Sequence, residues 1–236
     1  MKTAQSQRWG ASHRFGTLLA LFLGQLLSAP LFEGSIAAGY IADAFFYLLL
    51  AAAAFSIHRS RFFRLAMIFG IGSIIVEGIS YFVDRLSVLI LSNVISCCFL
   101  FIVTLQIGAN VYQQQEIRSD TIMGGLCVYV LIGTFWMVLF ISLELLRPGS
   151  FNFTVHGPNP DMDLQYALLM YYSFVTLLTI GYGDVVPMSG MAQSLTILEG
   201  LIGQFYLVFF MASLVGLYIS RRRSGQPRRT GRRKEE

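Results

Sequence analysis

Residues 171–187 read YYSFVTLLTIGYGDVVP, and the fold turns on what this stretch can do in an apolar chain. It closes an apolar, aromatic run over 164–178 that is fifteen residues long, short of the roughly 20 that a helix needs to cross a bilayer core. Thr179-Ile180-Gly181-Tyr182-Gly183-Asp184 follows, and Pro187 and Gly190 then break the chain. A short helix that enters without crossing, followed by irregular backbone, predicts a re-entrant loop. Such backbone survives at membrane depth only where protein buries it or where it lines a wet cavity.

The rest of the chain supplies the membrane. Of its 236 residues, 55% are hydrophobic and only 13% charged, too little polar surface to dress a soluble globule of this size. Six apolar segments of spanning length can be drawn, over 15–32, 35–57, 62–82, 86–111, 121–146 and 191–220. Basic residues orient them. Lys2, Arg8 and Arg14, then Arg59, Arg61 and Arg64, then Arg118 and the C-terminal cluster fall on alternate loops, leaving only Arg85 and Arg147 for the other side. The excess of Lys and Arg marks the cytoplasmic face, so both termini are expected there, and six spans satisfy that parity. The N-terminal run is read as a retained first helix, since no small-residue cleavage site precedes the next span. Cys97, Cys98 and Cys127 lie inside apolar segments and suggest packed free thiols, not a disulfide framework.

The stretch 171–187 resembles the pore helix and selectivity filter of potassium channels, and the flanking spans resemble that family's outer and inner pore helices, over about residues 118–220. Its TIGYG differs by one residue from the TVGYG loops that are the familiar example of selectivity by backbone carbonyls, with Ile180 in place of valine. The resemblance implies an all-α integral membrane protein of six transmembrane helices with a re-entrant pore helix and filter loop, assembled as a homotetramer. It divides the chain into a cytoplasmic N-terminus (1–14), a four-helix membrane domain resembling a voltage sensor without gating charges (15–111), a linker (112–120), a pore domain (121–220) and a basic cytoplasmic tail (221–236).

The chemistry explains the residue types. A dehydrated potassium ion needs its water oxygens replaced, and consecutive carbonyls can do this only if they share one direction. In an ordinary strand successive residues alternate. Left-handed backbone at alternate positions removes the alternation, and Gly181 and Gly183 adopt it without a Cβ penalty. The expected ion ligands are therefore Thr179, Ile180, Gly181 and Tyr182, with Gly183 completing the filter. One loop gives one carbonyl per layer, so a single motif per chain implies four chains about an axis. Potassium is the expected permeant ion, and no cofactor is expected.

Around the filter, the resemblance assigns Tyr171 and Tyr172 to an aromatic cuff and Asp184 to the outer mouth. Thr176 lies at the C-terminal end of the pore helix, where partial negative charge favours a cation. Leu178 stands where a second threonine is common, and Val175 where some members carry an acid. Glu144 and Glu199, ionisable residues inside spans, are expected to brace the filter loop by hydrogen bonding. Gly203, twenty residues after Gly183, falls where the family places a bending glycine, and a close-packing role is equally open.

Segment 86–111 contains no basic residue, so it lacks the lever that moves charge through a membrane field. Asp43 and Glu77 read as structural pairing groups. The tail of sixteen residues holds eight of the seventeen Lys and Arg residues; it is too short for a folded gating domain and suits anionic lipid at Arg221, Arg222 and Arg223 better than nucleic acid. The gating stimulus stays open. A weakly selective or non-conducting channel-like subunit is the nearest alternative. Gly181-Tyr182-Gly183-Asp184 also fits the GxGD pattern of intramembrane aspartyl proteases, but these need a second carboxylate sharing the proton, for which Asp43 alone is available. A transporter using filter-like loops would need several repeats per chain, and one loop is found. The expected location is a cell membrane, plasma or bacterial inner, crossed several times.

Overall fold

The computed structural model describes residues 14–31, 38–56, 63–80, 86–112, 119–155, 157 and 160–224. Among them the chain forms α1 (Arg14–Leu31), α2 (Ala38–Ser56), α3 (Phe63–Ser80), α4 (Leu86–Tyr112), α5 (Ser119–Leu146), β1 (Phe151–Phe153), α6 (Met162–Leu177), β2 (Val185–Pro187) and α7 (Gly190–Ser224).

Among the described residues three helices are long and apolar enough to cross a membrane, over Leu86–Tyr112, Thr121–Leu146 and Gly190–Phe210. Shorter apolar stretches lie in the first three helices, over Phe15–Leu27, Ala44–Phe55 and Phe63–Val76. At 18, 19 and 18 residues and about 1.5 Å per residue, those helices sit at the lower edge of a hydrocarbon core of about 30 Å. Helix α6, where the sequence predicts a short re-entrant helix, has 16 residues.

Helix α5 is the organising element. It is apolar on all sides, and such a helix belongs in a core: 78% of its spanning window is buried, with Leu131, Val138 and Phe140 almost wholly so. α4 and α6 pack along it, and α1 reaches across from its pairing with α2 to touch it as well. α3 joins the assembly through α4. The outward faces of α1 to α4 carry Leu23, Leu48, Phe55, Ile68, Ile75, Leu91 and Phe101 in exposed positions, a coat suited to lipid and far larger than the apolar patches of soluble monomers.

Helix α7 is the opposite case. Only 11% of its spanning window is buried, and Ile197, Leu201, Ile202, Phe205, Val208 and Phe209 stand exposed. Expected as an all-helical chain, the protein also contains a two-stranded antiparallel ribbon that joins the segments before α6 and after Asp184. Its register pairs Phe151 with Pro187, Asn152 with Val186 and Phe153 with Val185. Phe151 and Phe153 turn inward and Asn152 outward, the period of two that a half-buried strand imposes.

Candidate functional site

Asp161 starts α6. With extended backbone, its carboxylate accepts a hydrogen bond from Leu164 N at 2.8 Å, satisfying one of the four free N–H groups at a helix start. Gln165 Nε2 donates to Pro160 O at 2.9 Å and holds the preceding turn. At the other end every carbonyl of the last turn finds a donor. Phe174 O accepts from Leu178 N, Val175 O from Ile180 N and Thr176 O from Thr179 N, each at 2.9 Å, while Leu177 O accepts from the Tyr129 hydroxyl of α5 at 2.7 Å.

These bonds set the direction of the peptides that follow. Gly181 N also turns to Val175 O, at 3.4 Å, so the N–H groups of Thr179, Ile180 and Gly181 all point back onto α6. In a trans peptide the N–H and the preceding C=O point opposite ways, and the described residues contain no cis bond. The carbonyls of Leu178, Thr179 and Ile180 therefore turn away from α6. Thr179, Gly181 and Gly183 have φ of 58°, 61° and 79°, so every second residue is left-handed. For the glycines this is free of Cβ strain. For Thr179 it costs about 1–2 kcal/mol, which no local preference of threonine announces. Residues 178–183 are exposed on the chain taken alone.

Asp184 ties the outer end. Its Oδ2 accepts from the Tyr171 hydroxyl at 2.6 Å and its Oδ1 from Val185 N at 3.1 Å. Its backbone oxygen accepts from Thr154 N at 3.0 Å and from Thr154 Oγ1 at 2.5 Å. Thr154 follows β1, and only the ribbon brings it here; sequence alone holds no sign of it. The hydrogen bond to Asp184 comes first in pushing the Tyr171 phenol up to about 12, so on α6, outside the candidate spans, it stays a donor at ordinary pH.

The two tyrosines expected to act together divide. Tyr172 faces away from Asp184: its hydroxyl lies 2.7 Å from Thr196 Oγ1 on α7, and its ring packs edge-on against Phe140 and Phe151, each at a centroid distance of 5.3 Å, with the same spacing between those two. Ser173, next along α6, reaches Gly133 O of α5 and Glu199 of α7. Glu144 is buried, but its carboxylate engages the loop before β1 and not the backbone of residues 179–183, accepting from Gly149 N at 2.7 Å and Phe151 N at 3.0 Å. Its link to residues 179–183 runs through the ribbon.

Gly203 meets α6 closely. A Cβ built there would stand 2.6 Å from Leu177 Cδ1 and 3.4 Å from Leu177 O, and α7 continues as helix through the position. Leu177 is fully buried, so it has little room to yield. Gly203→Ala is expected to cost about 1–3 kcal/mol through overpacking, lowering the apparent melting temperature of the purified protein by several degrees. Melting indistinguishable from wild type would show that Leu177 swings clear. Asp43 lies on α2, Glu77 on α3 and Arg221, Arg222 and Arg223 on α7, and the side chains of these five fall outside those described.

Residues 150–220 match the sequence profile of a family described as ion channel. The chain is also similar to the potassium channel protein kcv of Paramecium bursaria Chlorella virus 1, with 27% identity over 78 residues, which is 33% of this chain and 82% of the viral protein. No solved structure matches. The matches point to an ion-transporting membrane protein, a channel rather than an enzyme.

Proposed function

We propose that the chain is one subunit of a homotetrameric, potassium-selective channel, in which the carbonyls of Thr179, Ile180, Gly181 and Tyr182 replace the water shell of the ion. The single observation that carries this reading is the filter backbone: left-handed φ at Thr179, Gly181 and Gly183, with the N–H groups of three consecutive residues anchored on α6. That combination turns carbonyls toward the open side of the chain. Irregular exposed backbone is untenable in lipid, and three further copies around an axis resolve the conflict by enclosing it in protein and ions. The bare face of α7 supports the same assembly, since it gains neighbours and lines the lower pore.

In this reading α1 to α3 complete six spans, both termini are cytoplasmic, and the four-helix domain carries no voltage lever because the fourth span is neutral. Arg221, Arg222 and Arg223 meet anionic headgroups. The C-terminal end of α6, with its partial negative charge, points toward the cavity from four sides and favours a cation there. Selectivity follows from the carbonyl cage. Supporting ties at Tyr171, Tyr172, Thr176, Asp184, Glu144 and Glu199 hold it in place.

Protein purified and fused into planar bilayers tests the proposal. With potassium on both sides, the reversal potential is expected to follow the gradient at close to the ~59 mV per tenfold set by one monovalent charge. With sodium replacing potassium on one side, it should move strongly toward the potassium equilibrium. Equal permeation of the two ions would leave a weakly selective channel, and a silent bilayer a non-conducting subunit.

A further inference from the structure

Three oxygens meet behind the re-entrant helix in an arrangement whose proton count fails for an ionised carboxylate. Ser173 Oγ lies 2.8 Å from Gly133 O on α5 and 2.5 Å from Glu199 Oε1 on α7. Ser173 and Glu199 are both 0% exposed, so water does not share in these contacts. A hydroxyl carries one proton, a backbone carbonyl none, and an ionised carboxylate none. If Ser173 gave its proton to a Glu199 carboxylate, its oxygen would face Gly133 O at 2.8 Å with nothing between them, lone pair to lone pair. Given to Gly133 O, the same proton leaves the 2.5 Å approach to Glu199 without one. Both contacts close only if Glu199 brings a proton of its own.

The surroundings agree independently. Glu199 Oε2 is buried and has no hydrogen-bond partner among the described residues. As half of a carboxylate that atom would carry unsolvated charge, at heavy cost; as the carbonyl oxygen of a neutral acid it costs far less. The titratable groups that face Glu199 are Tyr129 from α5 and Tyr172 from α6. Tyr129 donates to Leu177 O, and Tyr172 is paired with Thr196. Among the described residues no cation is paired with Glu199.

We propose that Glu199 is held as a neutral carboxylic acid that donates to Ser173, which in turn donates to Gly133 O, so that one relay of two protons clasps α7, α6 and α5 together behind the filter. Glu199 is a positioning residue: it acts on the filter through Ser173 and touches no ion. Loss of its proton opens the clasp, which makes the filter's support sensitive to alkaline pH. The effect on current rests on the channel reading; the protonation state does not.

Infrared difference spectra of the full-length protein in liposomes, with glutamate carboxyls isotopically labelled, test the state directly. Wild type minus E199Q at neutral pH is expected to show the carbonyl band of an undissociated acid, shifted in S173A where its acceptor is gone. Carboxylate bands alone would overturn the proposal. Potassium current should fall several-fold and reversibly between neutral and about pH 10, the range where tyrosines also titrate. E199A should carry about tenfold less current at neutral pH, whereas E199Q, whose amide N–H can take the place of the acid proton, should recover most of that loss and lack the alkaline fall. An alkaline fall that persists in E199Q would assign it to other groups and sink the pH claim. Absence of potassium current at every pH would instead count against the channel reading, with the spectra still deciding Glu199.

Discussion

Replacing Gly181 with alanine is expected to abolish potassium current, by at least about a thousandfold, while leaving assembly intact. The cause is backbone handedness and not space. Nothing lies within 4 Å of a Cβ built at Gly181 on its own chain, yet its φ is +61°. An L-residue in that conformation costs about 1–2 kcal/mol. In the proposed tetramer four copies share one ion pathway, so the strain comes to about 4–8 kcal/mol per tetramer, and each 1.4 kcal/mol is a factor of ten in the population of the conducting backbone. The measurement is single-channel and macroscopic current in potassium bilayers, beside cross-linking to count subunits. D-alanine introduced by semisynthesis separates the explanations, because its mirror-image preference makes positive φ its favoured state. Handedness predicts that D-alanine restores current; failure of both enantiomers alike would point to crowding by neighbouring subunits.

The features legible in the sequence were those with a local cause. Length alone separates α6, at 16 residues, from the spanning helices, and the alternate glycines declare two of the three left-handed positions. Thr179 did not declare itself, because a β-branched residue with positive φ runs against its own preference and is held there by bonds to Thr176 and Val175 made by its own and the next two residues. The ribbon was equally hidden. Three-residue strands are too short for a period to show, and β1 and β2 are stabilised by each other across an intervening helix. With the ribbon unseen, Thr154 could not be placed at Asp184. Nor could Tyr129 be placed at the end of α6, or Ser173 between two helices, since those hydrogen bonds join residues 48, 40 and 26 apart in the chain. For Glu144 and Glu199 the sequence marked ionisable groups in apolar spans. It could not say that one would accept two backbone N–H groups and the other would meet a hydroxyl, a difference that only partners decide.

That difference gives Glu144 its own expected result. Its two oxygens accept from Gly149 N and Phe151 N; Gly149 is exposed and Phe151 buried. In Glu144→Ala, water can reach Gly149 N, but Phe151 N loses its carboxylate acceptor in a closed site, which costs about 1–3 kcal/mol, and the emptied side-chain volume adds to it. About 2–4 kcal/mol per subunit, at roughly 2–4 °C per kcal/mol for a chain of this size, lowers the apparent melting temperature by roughly 10 °C. Glu144→Gln should recover about half of that fall, since an amide oxygen can still take Phe151 N while its NH₂ turns toward the hydrated Gly149. Because Phe151 begins the strand that pairs with Val185 to Pro187 and leads to Thr154 on Asp184, the loosening should travel to the outer end of the filter. Potassium current in Glu144→Ala is therefore expected to run down with time under sustained conduction, faster than in Glu144→Gln. Thermal melting checks the first effect and long bilayer recordings the second. Wild-type melting together with wild-type rundown would mean that the loop is held without its carboxylate, and that the ribbon, not Glu144, anchors the filter's outer end.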